Sequence, residues 1–412
     1  MKPLLLTFNE LFSPKNKNKP TYLFRLKEKY DFFHIPLDYT KTPFELIEGI
    51  INYLKSKGIV LDGVISLYDT ESIVASYICD ELRLIGPKPI SIFRAQHKAI
   101  FSKIACKINP SQPLTYLINL NDIRVPKMDY PAFLRTVKGG GSRFAYIIHS
   151  KEELEERLNL LKGQKRPDLE WYDLFFDSFK TPSKKSRDLY LLQPFIEGKQ
   201  YTADGFVCKG QVKIVDYTET IYSPDRKSFV RFDFPAQLDE KIKLAVSDLA
   251  QKLIQELDYD NAGFNLEFFV TNKEEVVLIE LNTRPSLQFI PLFDQKYTDT
   301  IVDMVCKVAL GQKSLISQKK QPRAASSFPL RAWKNYKVIS VPSKIQIKKL
   351  LKEKGVLGIN IFAKTGEDLT HLKNDAYSYR YGIIDMAGED LQEILARFDK
   401  MQKKLGIVFE ES

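Results

Sequence analysis

Apolar residues recur at helical spacing between 42 and 58, where Leu46, Ile47, Ile50, Ile51 and Leu54 of TPFELIEGIINYLKSKG fall on one face. Thr42 and Glu45 have the spacing of a capping box, Pro43 suits the first helical position, and Gly58 ends the run. The apolar LLL of MKPLLLTFNELF predicts a first strand, GVISL (63–67) a short buried strand, and DTESIVASYICDELRL (69–84) a helix that GPKP stops. This alternation over the first 95 or so residues predicts a parallel sheet with right-handed crossovers.

From about 125 the pattern changes. YPAFLRTV (130–137) runs into the glycine-rich KGGGSR (138–143), then the strand-like FAYIIH (144–149) and a helix capped by Ser150 and Glu153, with Leu154, Leu158 and Leu161 on one face. Residues 164–188 are charged and aromatic without clean periodicity and are expected to be irregular. YLLQPFIEG (190–198), strands over about 201–216 and a helix over 239–257 follow. GQKSLISQKKQPRAASS (311–327) has the texture of a linker, and the last helix, 389–406, carries Leu391, Ile394, Leu395, Phe398, Met401 and Leu405 on one stripe before Gly406.

The stretch NLEFFVTNKEEVVLIELNTRP (265–285) sets one acid inside each of two apolar runs. Antiparallel pairing with Thr271 opposite Val276 and Val270 opposite Val277 places Glu267 opposite Glu280, with β-carbons about 5 Å apart. Alternation brings Asn282 to the same face. Facing carboxylates repel unless a cation lies between them, and two carboxylates with an amide oxygen suit Mg²⁺ completed by water and phosphate oxygens. The rival is an ordinary hairpin with its acids on a solvent face; against it, neither run carries another charge. KGGGSR offers consecutive backbone N–H groups of the kind that bind anions, or simply a chain reversal. It has neither the GxxxxGK[ST] order nor the GxGxxG pattern. Arg135, inside the apolar PAFLRTV, needs a partner.

Composition narrows the function classes. The 412 residues carry 62 Lys+Arg against 52 Asp+Glu, a net +10. The basic residues are scattered, and the short clusters at 13–20, 181–187 and 317–323 carry Pro or Ser and read as solvated loops. Without aromatic interleaving they give no nucleic-acid stripe. No run approaches the roughly 18 apolar residues of a membrane span. Cys79, Cys106, Cys208 and Cys306 are far apart and form no ligand cluster with the four histidines, so a reducing cytoplasm is expected rather than a disulfide framework or structural zinc.

Taken in order, these pieces resemble the ATP-grasp superfamily, over about 60–406, with ELNTRP the most specific part. SYRYGIIDMAGEDLQEILARFDKM is similar to the C-terminal lobe of L-amino-acid ligases (dipeptide synthetases); biotin carboxylase is a more distant likeness. The resemblance implies an α/β ATP-grasp fold with a Rossmann-like preceding domain (1–95), an ATP-grasp domain (96–310, small lobe about 110–190, large lobe about 191–310) and a C-terminal α+β lobe (311–412). It implies ATP and Mg²⁺ (or Mn²⁺) as cofactors, with Glu267, Glu280 and Asn282 as metal ligands and Arg284 as the catalytic arginine facing the transferred phosphate and reacting carboxyl. Lys98, in FRAQHKAIFSKI, and Arg135 match the two phosphate cations, with Lys138, Gly140 and Ser142 in the phosphate loop. Gln193 and Ile196 match the adenine hinge, and Gln200 the position that binds the ribose. Three departures stand out: Gln rather than Glu at 200, no glycines after Arg284 in RPSLQF, and Asn265 where D-alanyl-D-alanine ligases have arginine.

The implied activity is ATP-dependent carboxylate–amine ligation through an acyl phosphate, releasing ADP and phosphate. The alternative is a nucleotide-binding regulatory module without turnover. Expected partners are a small carboxylate and an amine, amino acids or a peptide, on a monomer or homodimer, with no nucleic acid and no membrane. Substrate pockets are expected from 164–188, 217–233 and the C-terminal lobe.

Overall fold

The computed structural model describes residues 2–15, 21–139, 144–164, 167–179, 186–319, 323–373 and 375–411. The alternating first segment forms a parallel sheet of β1 (Leu4–Thr7), β2 (Asp31–His34) and β3 (Gly63–Ile65) in the order β2-β1-β3. Helix Pro43–Ser56 begins at the capping box read from the sequence. Its stripe Leu46, Ile47, Ile50 and Leu54 packs with Leu6, Val64 and Val74, each buried aliphatic contributing about 2 kcal/mol. Helix Asp69–Leu82 follows β3, so its first residue lies at the carboxyl end of this sheet. Glu71, buried in that helix's first turn, accepts from the Leu67 and Tyr68 backbone N–H groups and from Asn9 Nδ2, pinning the helix to the chain after β1.

A second, antiparallel sheet contains β4 (Tyr116–Asn119), β5 (Ala132–Thr136), β6 (Ala145–Ile148) and β7 (Leu189–Pro194) in the order β4-β7-β5-β6. Leu154, Leu158 and Leu161 of helix Lys151–Leu161 cover it. The remaining strands are β8 (Gly198–Cys208), β9 (Gln211–Tyr222), β10 (Phe229–Phe234), β11 (Ala262–Thr271), β12 (Val276–Asn282), β13 (Ala324–Ala332), β14 (Tyr336–Ser340), β15 (Val356–Ile361), β16 (Tyr379–Gly388) and β17 (Val408–Glu411). Eight of them form one sheet, β12-β11-β8-β9-β10-β13-β16-β15, while β14 pairs with β17. Helix Glu240–Leu257 lays Val246, Leu253 and Leu257 against Tyr201, Phe264 and Phe268 on one face of the large sheet.

Two expectations need correction. Residues 164–188 are not irregular throughout: Pro167–Asp177 is a helix. Trp171, Tyr172, Phe175 and Phe176 recur at helical spacing, and the last two are buried in the cluster that holds Phe93 and Tyr201. Nor does the linker texture persist to 327, because β13 begins at Ala324 and pairs with both β10 and β16. Its Ser326 and Ser327 are buried yet hydrogen-bonded, to Asp233 and Gln288, so polar residues occupy a strand interior without penalty.

The acidic hairpin is present, but its turn is one residue off the expected register: Val270 opposes Val276 and Phe268 opposes Leu278. A bulge then intervenes, and Glu267 does oppose Glu280 and Asn265 opposes Asn282. The extra residue is Ile279. It lets Ile279 and Glu280, adjacent in sequence, both line one cavity.

Candidate active site

A cavity of about 440 Å³ lies between the β5–β7 sheet and the β8, β11 and β12 edge of the large sheet. Phe133, Ile147, Phe195, Ile196, Phe269 and Ile279 give it apolar lining, together with Gln193. Asp69, Lys98, Arg135, Lys138, Gln200, Glu267 and Glu280 form the polar end. A small adjoining recess is lined by Asp69, Gln96, Lys98, Lys138, Glu280 and Asn282. Each described residue singled out for nucleotide or metal thus borders one of two connected spaces. Gly140 and Ser142 lie outside the described residues. Arg284 borders neither space and sits behind the recess, its Nε 3.8 Å from Asp69 Oδ1.

The cations come from separate elements. Lys98 is the first residue of helix Lys98–Ile108, and its backbone N–H donates to the Val137 carbonyl, tying the helix start to the end of β5. Arg135 points from β5 and donates to the Ile279 carbonyl at 3.1 Å, so the bulge also supplies an acceptor. Lys138 follows β5, donates to Gln96 Oε1 at 3.0 Å, and lies 3.6 Å from Asp69. Next to it Gly139 has φ +145°, and a β-carbon there would meet Thr136 Oγ1 at 3.0 Å, so glycine lets the chain turn away.

At the polar end Lys98, Arg135 and Lys138 stand against Asp69, Glu267 and Glu280, while Arg226 and Lys227 add positive charge elsewhere in the wall. The Lys98 ammonium contacts Glu280 Oε2, and Arg135 Nη1 is 4.0 Å from the same oxygen. Burial, with Arg135 and Lys138 close by, holds the Lys98 ammonium well below its ordinary pKa. Burial also brings Arg135 down to about 10 and lowers Lys138. For Asp69 burial acts upward, but Lys138, Arg284 and Lys98 outweigh it and leave the carboxyl below its usual range. Arg135 Nε and Asp69 Oδ1 are buried without a hydrogen-bond partner, leaving a donor and an acceptor available at the polar end.

The acid pair has its own supports. Asn282 Nδ2 donates to Glu267 Oε1 (3.2 Å) and to Asn265 Oδ1 (3.1 Å). Gln200 Nε2 donates to Glu267 Oε2 (3.0 Å) and its Oε1 accepts from Tyr222 Oη, so the amide at the expected ribose position is tied to the acid pair. Among the described residues no group of three His, Cys, Asp or Glu side chains could hold a metal ion by itself. Glu267, Glu280 and the Asn282 oxygen instead form a hard, incomplete set, the donor chemistry that Mg²⁺ accepts when phosphate and water fill its other positions.

Several participants could not be found from sequence. Asp69 and Gln96 reach the recess from the first part of the chain, and Gln96 Nε2 also donates to Thr283 Oγ1 at 2.7 Å, beside Arg284. Asp69 opens a helix with nothing in its neighbourhood to mark it, so only long-range packing reveals it. Tyr172, Tyr222, Arg226, Lys227, Phe229 and Tyr377 form a further part of the wall, from the segments expected to shape the substrate pockets. Tyr377 Oη accepts from the Ile147 N–H at 3.2 Å, while Asp375 holds the same loop to Arg331 at 2.8 Å.

Residues 128–288 match the ATP-grasp domain family. Methylcrotonoyl-CoA carboxylase subunit alpha of Rattus norvegicus is 22% identical over 217 residues, half of this chain; the chain spans only 27% of that protein's length. An L-amino acid ligase from Bacillus licheniformis has a similar structure, with TM-score 0.74 and 15% identity, over 100% of this chain and 99% of its own. The biotin carboxylase of Campylobacter jejuni superposes with TM-score 0.60 and 16% identity, over 99% and 92% of the two chains. No described helix is long and apolar enough to cross a membrane. Residues 128–288 therefore match the ATP-grasp domain family, and over its whole length the chain shares the fold of the L-amino acid ligase structure.

Proposed function

We propose that the protein is an ATP-dependent carboxylate–amine ligase. The observation that carries this is the convergence of Glu267, Glu280 and Asn282 with Lys98, Arg135 and Lys138 around one cavity and its recess, which also have apolar lining from Phe133, Phe195, Ile196 and Phe269. ATP-grasp domains use ATP with Mg²⁺, and the apolar lining suits a purine while the polar end suits a triphosphate. Ile196 and Gln193 line the same cavity and would flank the purine, and Gln200 donates to Glu267.

Glu267, Glu280 and Asn282 would hold Mg²⁺, which when bound offsets phosphate charge and aligns the γ-phosphate for in-line displacement. Lys98, Arg135 and Lys138 take up the rest of the phosphate charge. A substrate carboxylate oxygen bonds to the γ-phosphorus as the bond to ADP breaks, giving an acyl phosphate. The amine then attacks the acyl carbon, phosphate leaves with the bonding electrons, and the amine nitrogen loses a proton. Arg284, 3.8 Å from Asp69 behind the recess, would neutralise the oxyanion of a carboxylate that enters there. The wall of Arg226, Lys227, Phe229 and Tyr377 excludes water that would hydrolyse the acyl phosphate.

An amino acid or short peptide as substrate fits a cavity with both cations and acids in its walls. The proposal includes division into 1–95, 96–310 and 311–412, with β13 and β16 extending the large sheet from the last part, a monomer or homodimer, and a cytosolic setting in keeping with four free thiols.

The test is ADP and phosphate release from ATP and Mg²⁺ across a panel of amino acids, singly and in pairs. Release stimulated by a carboxylate–amine pair supports ligation; no stimulation by any pair removes it. A second reading, a nucleotide-binding module without turnover, is favoured by Gln200, whose two amide atoms are both engaged within the protein. Tight ATP binding without ADP release would support that instead.

A further inference from the structure

Behind the acid pair runs a chain of hydrogen bonds whose direction is fixed at one end. The Ser286 backbone N–H donates to Asp204 Oδ1 (2.7 Å), and Asn265 Nδ2 donates to Asp204 Oδ2 (2.9 Å). Asn282 Nδ2 then donates to Asn265 Oδ1, and also to Glu267. Asp204 is fully buried and Asn265 nearly so. An amide presents oxygen and nitrogen of nearly equal shape, so packing alone does not decide which way it faces. A carboxylate decides it, because it only accepts. Asn265 must turn its nitrogen to Asp204 and its oxygen to Asn282. Asn282 must answer with nitrogen, in agreement with its second bond to Glu267, and its oxygen is what remains for a ligand.

The carboxylate at 204 is costly, since burial pushes its pKa up to about 6 against the pull of Ser286 and Asn265. An asparagine there would bury no charge, but its single oxygen could keep only one of the two bonds. Its nitrogen would stand in the place of the other acceptor, and the direction of the chain would be lost. Asp204 further holds the Ser286 N–H, two residues beyond Arg284, so one carboxylate reaches both the metal amide and the loop of the arginine.

We propose that Asp204 is a positioning residue: it sets the Asn282 amide with its oxygen toward a divalent cation bound with ATP. This rests on the metal role given above to Asn282. The probe is Mn²⁺ binding, read by electron paramagnetic resonance, to the full chain with a non-hydrolysable ATP analogue. Removing such an outer partner costs metal affinity about 10- to 100-fold. Asp204→Asn is expected to lose Mn²⁺ affinity in this range while metal-free analogue binding and the melting point hold. Adding Asn265→Asp to it restores an acceptor facing Asn282 and is expected to recover most of the loss, which a merely structural role would not do. Asn265→Leu leaves Asp204 on Ser286 but cuts the chain, so the same loss is expected, and this variant decides the matter if Asp204→Asn does not fold. Wild-type Mn²⁺ affinity in Asn265→Leu, or no recovery in a folded double variant, overturns the proposal. No Mn²⁺ binding by the wild type with the analogue present would overturn the metal role itself and this inference with it.

Discussion

Lys98 and Glu280, expected to hold phosphate and metal respectively, hold each other: the ammonium lies against the carboxylate at the polar end of the cavity. Both are largely buried, so the pair offsets two desolvation penalties at once, and removing either member leaves a charge unpaired. On the proposed roles, nucleotide and metal would exchange this contact for two new ones.

Glu280→Ala is therefore expected to lower stability by about 3 kcal/mol, and Lys98→Ala together with it to recover part of that loss in chemical denaturation. The same variant should abolish ADP release. In the wild type a non-hydrolysable ATP analogue with Mg²⁺, at 100 times its Kd, should add about 2.7 kcal/mol. In Glu280→Ala, Mg²⁺ should add nothing beyond the analogue alone. A thermal shift series with and without EDTA checks this.

Asp69 approaches Arg284 and Lys138 from the first sheet and is replaceable in shape by asparagine. Asp69→Asn should lower kcat about tenfold or more, a loss of roughly 1.4 kcal/mol in the transition state, with KM for ATP little changed. Steady-state kinetics separate the two; a rise in KM with unchanged kcat would place Asp69 in nucleotide binding.

Glu71 gives a pH dependence. Burial raises its carboxyl to about 7, above the usual 4.5, despite the three hydrogen bonds it accepts. The folded state keeps this proton up to about pH 7 while the unfolded chain has released it, so stability from this group falls as pH rises from about 4.5 to 7. Glu71→Gln cannot ionise. Its stability relative to the wild type should improve by about 1 to 3 kcal/mol between pH 5 and pH 8, whatever its constant cost. Urea melts at the two pH values measure it, and an unchanged difference would remove the assignment.

Tyr377 links its loop to the exposed edge of β6 by one hydrogen bond. Tyr377→Phe should leave the fold intact, weaken closure by about 1 kcal/mol and raise KM for ATP about fivefold. If the loop also excludes water, ADP release without amide formation should rise in the same variant, by comparing product with ADP.

Local chemistry was legible in the sequence where short-range rules govern it. The capping box at Thr42, the stripe of helix Pro43–Ser56 and the pairing of Glu267 with Glu280 are all present. The turn register differs by one residue from the expected one, and a bulge that no residue type announces restores the pairing. Helix Pro167–Asp177 was hidden because its aromatic stripe lies among charges. Strand β13 was hidden because its buried serines find partners only across the sheet. Asp69, Gln96 and Asp204 lie about 60 to 200 residues from the acids they serve, and nothing local distinguishes them from ordinary polar residues.

The bulge at Ile279 bears on how densely a strand can furnish a site. Regular alternation offers one side chain per face about every 6.8 Å, with a core residue always between two neighbours. At Ile279 and Glu280 that spacing is broken, and an apolar wall and a charged group stand side by side on one face. A single added residue thus brings two chemically opposite surfaces into contact at the point where an apolar ring and a chain of phosphates would meet.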